Sequence, residues 1–402
     1  MLFFDAAGYF ANLLVLSAIV VPLYRYTDSI ALRYALTVAT GVVLLYYIAP
    51  RLILFYLLFW LAVVVVQKIM LHGRTLNGAT GVMWVCVLLI LSPMLTWKLY
   101  APTFLPELTW FLHQMMTSVS SDIGFVDSHR NILLPVGLSF ASFRALDLVL
   151  QTYLGTISQL NPAQIIAYGF FPALLPIGPI ATLQEVDFTK RASSEDVVIG
   201  IIRITIGFAK VFLLASMLQH WGNIFYAYDR QGWQILVSLA IFAFYFYLNF
   251  AGYSDIAIGA GRLYGMKLPE NFRWPLFRDS PQKFWANWHA SLSRFAQRYI
   301  FTSTGGYRKN RQNFALLATM MVIAWWHDLT LSWTIFGFYH GTGLIVHRWW
   351  SQNRPPFLAS HIDHPFYRLI SWAMLFSFIA LGFPIISMDP TNLQKFYGNL
   401  LR

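Results

Sequence analysis

Long apolar blocks that carry very few charges constrain this chain more than any other feature. The clearest are residues 31–49, 52–66, 82–94, 197–218 and 235–250. A helix needs roughly 20 mostly apolar residues to cross a bilayer, and by that rule the sequence predicts about ten transmembrane helices. Charged residues make up 11% of the chain, against about 25% in an ordinary soluble domain. The sequence therefore predicts an all-α polytopic membrane protein.

The distribution of basic residues predicts the topology. The first and third connections between helices carry Arg and Lys, whereas residues 107–127 carry three carboxylates. Basic loops stay in the cytoplasm, so the N-terminus is expected outside. Residues 267–311 hold nine Lys and Arg against two acids and are assigned to the cytoplasmic face. Topology thus accounts for the net charge of +11, and no nucleic-acid partner is predicted.

The chain is predicted to form one membrane domain over residues 1–402. Residues 1–21 lack the basic leader and cleavage site of a signal peptide and are expected to be a retained helix. Residues 101–131 are expected to form an external loop with a short helix. The domain is predicted to have three sections, namely peripheral helices in 1–130, a core in 131–350 and a C-terminal helix in 351–402.

Prolines interrupt the apolar pattern between residues 132 and 183. Proline removes a backbone donor and breaks a helix, and the sequence has Pro135, Pro172, Pro176 and Pro179 here. Backbone groups freed at membrane depth persist only when they are buried in protein or line a cavity. This segment is therefore predicted to contain re-entrant or broken helices around a central chamber.

A surface helix is predicted over residues 281–300, after a turn at residues 268–272. Aromatic residues and Leu292 recur along it at three- or four-residue spacing, and Lys, Asn and Arg occupy its other face. A helix with this amphipathic pattern lies at the membrane surface or seals a cavity.

Histidines are the residues most suited to chemistry within these apolar segments. His327 lies between two apolar stretches, and ionisable groups inside a membrane are costly and usually functional. Neutral imidazole accepts a proton near neutral pH, which suits a general base. The alternative is a histidine that packs helices by donating to a carbonyl. By position alone, His289 is interpreted as an interface residue and His340 as structural.

Asp255 and Arg262 lie seven residues apart, and a structural ion pair between them is predicted. The sequence has no HExxH or CxxC motif and no clustered metal-ligand spacing, so no metal site is predicted.

Four motifs occur in a specific order between about residues 130 and 345. They read LPVGLSF at 134–140, YSDIAIG at 253–259, LPENF at 268–272 leading to FWANWHASLS at 284–293, and WH at 326–327 with a later YHG at 339–341. In this order they resemble the MBOAT family, the membrane-bound O-acyltransferases. The resemblance implies a ring of membrane helices around a thin centre that is pierced by a tunnel from the cytosol.

The resemblance also implies an acyltransferase that passes an acyl group from a cytoplasmic thioester to hydroxyls of a cell-envelope polymer. His327 would be the invariant histidine of the family, and His289 its second conserved polar position, so both are predicted to be catalytic. The family usually has Gly where this chain has Asp328, a change that marks an altered acceptor site or an altered environment for His327. The predicted substrate-binding residues are Asn271, Trp285, Trp288, Ser291, Ser254, Asp255 and Asp328.

The resemblance implies no bound cofactor. The donor would be a thioester, carried by the phosphopantetheine of an acyl carrier protein or by coenzyme A, and drawn to the basic cytoplasmic face. The acceptor would be an envelope polymer, reached with a separate extracytoplasmic partner protein, and the chain would cross the bacterial cytoplasmic (inner) membrane several times. D-alanyl transfer, as in teichoic-acid modification, and acetyl transfer, as in exopolysaccharide O-acetylation, stay open as the chemistry.

Two alternatives belong to other functional classes. A transporter or flippase also has broken helices and midplane polar residues, but the sequence shows no paired halves. A non-catalytic scaffold for other envelope enzymes would follow if Asp328 had abolished the activity.

Overall fold

The computed structural model describes residues 6–48, 50, 52–99, 137–159, 161–225, 232–388 and 390–400. Within those ranges all regular structure is helical and there is no strand, which confirms the predicted all-α class. The predicted external loop at 101–131 lies outside the described residues.

Sixteen α-helices occur in the described part of the chain. In order they are α1 Ala6–Tyr26, α2 Ile30–Ile48, α3 Leu52–Gly73, α4 Ala79–Leu99, α5 Leu138–Tyr153, α6 Pro162–Gly169, α7 Ser194–Phe208, α8 Ser216–Phe225, α9 Trp233–Leu263, α10 Pro281–Asn287, α11 Ala290–Ala296, α12 Gln312–His327, α13 Leu331–Asn353, α14 Pro356–Ala359, α15 Pro365–Ser387 and α16 Pro390–Leu400. Two π-helical segments, Ala209–Ala215 and Gln297–Phe301, adjoin α7 and α11.

Seven helical segments among the described residues are long and apolar enough to cross a membrane. They are Gly8–Tyr26, Ile30–Ile48, Leu52–Gly73, Ala79–Thr96, Ser194–His220, Trp233–Leu263 and Pro365–Ser387. A multi-pass membrane protein is thereby confirmed, while the number of about ten membrane crossings stays a prediction.

The described residues form two compact units. The first takes the chain up to Ile204 together with Ile256–Pro269, and the second takes Thr205–Asp255 and the chain from Glu270 onwards. The three predicted sections of a single domain stay a prediction. All the predicted site residues belong to the second unit.

In the first unit, the proline-rich segment is broken into short pieces, as predicted for the part of it that is described. Helix α6 begins at Pro162 and ends at Gly169, and a 3-10 turn follows at Pro172–Leu174. At the end of α6, the buried guanidinium of Arg144 donates to the carbonyls of Tyr168 at 2.8 Å and Gly169 at 3.4 Å. An ionised side chain thus satisfies the interrupted backbone.

In the second unit, an aromatic core surrounds Trp288. Tyr247, Phe284 and Phe383 belong to the same buried cluster, with Phe246 packed against it. Helices α12 and α13 form an antiparallel hairpin, and Gly337 on α13 allows close packing, since a Cβ there would lie 2.9 Å from the Cβ of Ala324 on α12. This hairpin carries His327 and His340.

The prediction of one continuous helix over residues 281–300 is wrong. Helix α10 ends at Asn287, α11 begins at Ala290, and His289 between them has a positive φ of 45°. The new helix starts there because the first turn of α11 finds acceptors outside the helix, on Asn271. Residues 268–272 contain no regular helix, as predicted.

The predicted ion pair between Asp255 and Arg262 is also wrong. Asp255 pairs with Lys210 at 2.5 Å, and Arg262 pairs with Asp196 at 2.8 Å. Seven residues of helix separate the two side chains by about 10 Å along the axis, so a partner on a neighbouring helix lies closer than one on the same helix.

Candidate active site

His327 is the last residue of α12 and lies at the turn of the hairpin. Its side chain is half-buried, and its ring contacts two indoles. The Trp326 ring lies 4.4 Å away, tilted by 58°, and the Trp333 ring lies 4.4 Å away and nearly parallel, at 9°. The imidazole is therefore held between two aromatic side chains at the end of an apolar helix.

Asp328 ends α12 in an extended conformation, with φ −161° and ψ 152°. Any residue adopts this conformation, so Asp328 causes no backbone strain here. The carboxylate accepts from the backbone N–H of Leu329 at 2.9 Å. Its predicted role in substrate binding stays a prediction.

His289 is the buried histidine of the pair, with 5% of its surface exposed. A positive φ is uncommon for a residue other than glycine and clusters at functional sites. His289 lies outside the seven helices that are long enough to cross a membrane, and burial lowers the pKa of its imidazole to about 4. The ring is therefore neutral at pH 7, and one of its nitrogens is able to accept a proton or a hydrogen bond.

Asn271 holds the backbone on the C-terminal side of His289. Its carbonyl accepts from the N–H of Ala290 at 2.9 Å, and its Oδ1 accepts from the N–H of Ser291 at 3.2 Å and from Ser291 Oγ at 2.9 Å. Its Nδ2 donates to Ser254 Oγ at 3.1 Å. Asn271 therefore acts as the N-terminal cap of α11, although it lies outside that helix.

The structure thus brings together three of the predicted substrate-binding residues, Ser254, Asn271 and Ser291. All three are nearly fully buried, and they form one hydrogen-bond network. Its geometry fixes the conformation at His289, and contact with substrate stays a prediction for all three.

The rings of Trp288 and Trp285 both contact the ring of Phe284. Trp288 is stacked against Phe246 at an interplanar angle of 6° and Phe284 at 17°. The Trp285 ring lies 5.1 Å from the His340 ring and perpendicular to it. His340 is buried, and its Nδ1 has no hydrogen-bond partner among the described residues. Ring packing surrounds His340, which agrees with its interpretation as a structural residue.

Ring contacts join all three histidines into one closed aromatic circuit. Neighbouring centroids along it are 4.3–6.2 Å apart, and His289 and His327 both contact Trp326. In order, the members of this circuit are His327, Trp326, His289, Phe272, Trp288, Phe284, Trp285, His340, Phe336 and Trp333, which returns to His327.

Sequence reasoning did not assign roles to Trp326 and Trp333. The signal for Trp326 was its position next to His327, and the signal for Trp333 was a tryptophan just past the turn that follows the same histidine. Lys210 was also missed. It approaches Asp255 because the π-helical segment Ala209–Ala215 widens the helix, and such bulges are frequent at functional sites.

Gly252 allows this approach of Lys210. A Cβ added to Gly252 would lie 2.5 Å from Val211 Cγ2 and 2.8 Å from the carbonyl oxygen of Gly207, so only glycine fits. The ion pair that results has side-chain exposures of 23% for Lys210 and 8% for Asp255. Asp255 therefore has a protein partner, and its predicted contact with substrate stays a prediction.

Asp255→Leu is expected to destabilise the protein by up to about 3 kcal/mol, because it leaves the Lys210 ammonium in an apolar setting without its carboxylate. The double variant Lys210→Met, Asp255→Leu should recover most of that loss. Thermal unfolding in detergent measures both. As a control, Asp279→Ala, which breaks a pair with the exposed Lys283, should change stability by less than about 1 kcal/mol. A double variant as unstable as the single one would contradict the expectation.

Among the described residues, no group of three or more His, Cys, Asp or Glu side chains is placed to hold a metal ion. The site presents imidazole, amide, hydroxyl and carboxylate groups surrounded by aromatic rings.

Comparison with characterised proteins identifies relatives of this chain. It is 30% identical over 293 residues to the probable alginate O-acetylase AlgI of Pseudomonas aeruginosa, covering 70% of this chain and 53% of that protein. It is 30% identical over 230 residues to the peptidoglycan O-acetyltransferase of Helicobacter pylori, covering 53% of this chain and 41% of that protein. It is 25% identical over 282 residues to the teichoic acid D-alanyltransferase of Streptococcus thermophilus, covering 64% of this chain and 66% of that protein.

The chain spans about half the length of the alginate O-acetylases that it matches. The model of the MBOAT, membrane-bound O-acyltransferase family matches residues 44–388. This match covers most of the chain and includes every residue of the aromatic circuit. The order of motifs in the sequence, the helical membrane fold and the extent of this match all lead to one conclusion: the chain belongs to the MBOAT family.

Proposed function

We propose that this protein is an O-acyltransferase that passes an acyl group from a cytoplasmic thioester, through the membrane, to a hydroxyl group of a cell-envelope polymer. One observation carries the proposal. The rings of His327 and His289 both contact the ring of Trp326, inside the region that the family model matches. Two imidazoles that contact the same indole are suited to proton transfer to and from oxygen.

His327 is the general base of the proposed reaction. It takes the proton from the acceptor hydroxyl as the oxygen attacks the thioester carbonyl carbon. The new C–O ester bond forms, the C–S bond breaks, and the imidazolium returns the proton to the leaving thiolate. His289, neutral because of its burial, holds one of the reacting oxygens by a hydrogen bond. The aromatic circuit excludes water, which would otherwise compete with the hydroxyl as nucleophile.

The donor approaches from the cytoplasm. This part of the proposal is supported by the basic stretch at residues 267–311 and by the exposure of Arg308, Lys309 and Arg311 within it. Such a surface attracts an anionic donor, either an acyl carrier protein with its phosphopantetheine or coenzyme A. In this topology the N-terminus is outside the bacterial cytoplasmic membrane, and the acceptor polymer is reached with an extracytoplasmic partner protein.

Acetate is the favoured acyl group. The identity to the alginate O-acetylase and to the peptidoglycan O-acetyltransferase is 30% in each case, against 25% for the D-alanyltransferase. D-alanine is the second candidate, because the match spans 66% of the D-alanyltransferase but only 53% of the alginate O-acetylase.

Cells that contain the protein are expected to hold base-labile acyl esters in their envelopes that cells without it lack. Mild alkali releases these esters, and mass spectrometry identifies the acid. Acetate supports O-acetylation, and alanine supports D-alanylation. Equal release from both strains would reject acyl transfer and favour a transporter or a scaffold.

A further inference from the structure

We propose that Trp333 is a positioning residue for His327, which fixes the plane of the imidazole and stabilises its protonated form. This inference rests on the proposed function, in which His327 is the general base. It assigns a role to a residue that none of the sequence motifs singled out.

The imidazole of His327 and the indole of Trp333 form a parallel stack. The rings of His327 and Trp333 are 4.4 Å apart and within 9° of parallel, whereas Trp326 contacts the imidazole at a tilt of 58°. Trp333 thus covers one face of the imidazole. Rotation of the imidazole about its Cβ–Cγ bond would break the stack, so Trp333 opposes that rotation and keeps the ring nitrogens in one plane.

Trp333 is itself held in place by its own contacts. It lies in the first turn of α13, where its backbone N–H donates to Oγ1 of the capping residue Thr330 at 3.5 Å. Its ring packs edge-on against Phe336 at 5.3 Å and lies against the buried cluster that includes Ala324 and Ile385. A side chain anchored on the second helix of the hairpin therefore fixes the histidine at the end of the first.

When His327 takes a proton it becomes a cation, and the face of an indole attracts a cation more strongly than the face of any other aromatic side chain. Asp328, next in the chain, also affects this charge. The His289 ring contacts the ring of Trp326, and the His340 ring contacts the ring of Phe336. Trp333 differs from these groups because it favours the imidazolium without carrying a charge.

The test uses membranes from cells that carry the full-length protein or one variant, with its native partners present. Labelled acetyl-coenzyme A is titrated as donor, or labelled alanyl carrier protein if alanine is the acid that alkali releases. Trp333→Leu removes the aromatic face, and Trp333→Phe keeps a smaller one. Trp325→Leu is the matched control, since Trp325 lies on the same hairpin, is 42% exposed, and does not stack on His327.

We expect Trp333→Leu to lower kcat by about 10-fold or more, within the range that loss of a desolvated cation–π contact allows, with KM changed less than about twofold. The apparent pKa on the acid limb of kcat/KM should fall, because the imidazolium has lost stabilisation. Trp333→Phe should lie between Trp333→Leu and the native protein, and Trp325→Leu should match the native protein. A purely structural role would lower the amount of protein and leave the pH profile unchanged.

Native kcat and a native pH profile in Trp333→Leu would overturn the inference. If Trp333→Leu does not accumulate in the membrane, the test uses Trp333→Phe. A native kcat together with a native pH profile in Trp333→Phe would then overturn the inference. The proposed function fails separately, by equal ester release from cells with and without the protein, and the role of His327 as the base fails by retention of activity in His327→Ala. Loss of activity in His327→Ala with full activity in Trp333→Leu would reject the positioning role alone.

Discussion

His327→Ala is expected to lower the rate of ester formation by about 10²–10⁴-fold, the usual contribution of a positioned general base. The variant removes the group that accepts the hydroxyl proton. His327→Gln should lose as much activity, since its amide fills similar space and forms hydrogen bonds but accepts no proton near neutral pH. Alkali-labile ester, quantified by mass spectrometry and divided by the amount of protein in the membrane, measures the effect.

His347→Ala is the matched control for that loss. His347 lies on α13, is half-buried, and contacts Ser351 rather than the aromatic circuit. It should retain near-native activity. If His327→Gln were active and only His327→Ala inactive, the side chain would matter for packing and hydrogen bonding, and another residue would have to take the proton.

The helical membrane architecture was predictable because the bilayer allows few solutions. A chain in hydrocarbon must satisfy its backbone in helices or closed barrels, and an uninterrupted apolar block such as residues 52–66 lacks the alternation of a barrel strand, so it predicts a helix. Proline acts locally, and for that reason the breaks around Pro172 were also evident in the sequence. Both predictions depend on neighbouring residues alone.

The break at His289 was not predictable in the same way. The spacing of Phe284, Trp288 and Leu292 suits one continuous amphipathic helix. The structure breaks that helix because Asn271, 18 residues earlier in the chain, caps a new helix at Ala290. Periodicity reports which face of a helix is apolar, and it carries no information about a cap supplied from a distant segment.

The predicted ion pair between Asp255 and Arg262 was wrong for a related reason. Asp255 and Arg262 lie on the same helix, and their spacing suggested a pair, but each found a partner elsewhere in the chain. Lys210 lies 45 residues from Asp255, and its approach needs both a π-helical segment and Gly252. The family motifs identified His289 and His327 as candidates. Their shared contact with Trp326 depends on the tertiary structure, which the motifs do not report.

Asn271→Leu is expected to abolish the activity and to destabilise the protein, although Asn271 need not touch substrate for this to happen. Leucine has a similar volume, but it neither accepts from the N–H and Oγ of Ser291 nor donates to Ser254 Oγ. Each buried polar group left without a partner costs about 1–3 kcal/mol. Loss of the side-chain cap also removes the support for the positive φ at His289. Thermal unfolding in detergent and ester formation measure the two effects.

The design of the control separates a cap from a substrate contact. Asn287→Ala removes an amide that donates to the carbonyl of Lys283 within its own helix and should change both quantities little. Ser254→Ala removes one bond of the network and keeps the cap on Ser291, so it should retain much of the native stability and activity. If Asn271→Leu kept native stability and lost only activity, with a raised KM for the acceptor, Asn271 would contact substrate directly. If stability and activity fell together, its main role would be to hold His289 in the conformation that the reaction requires.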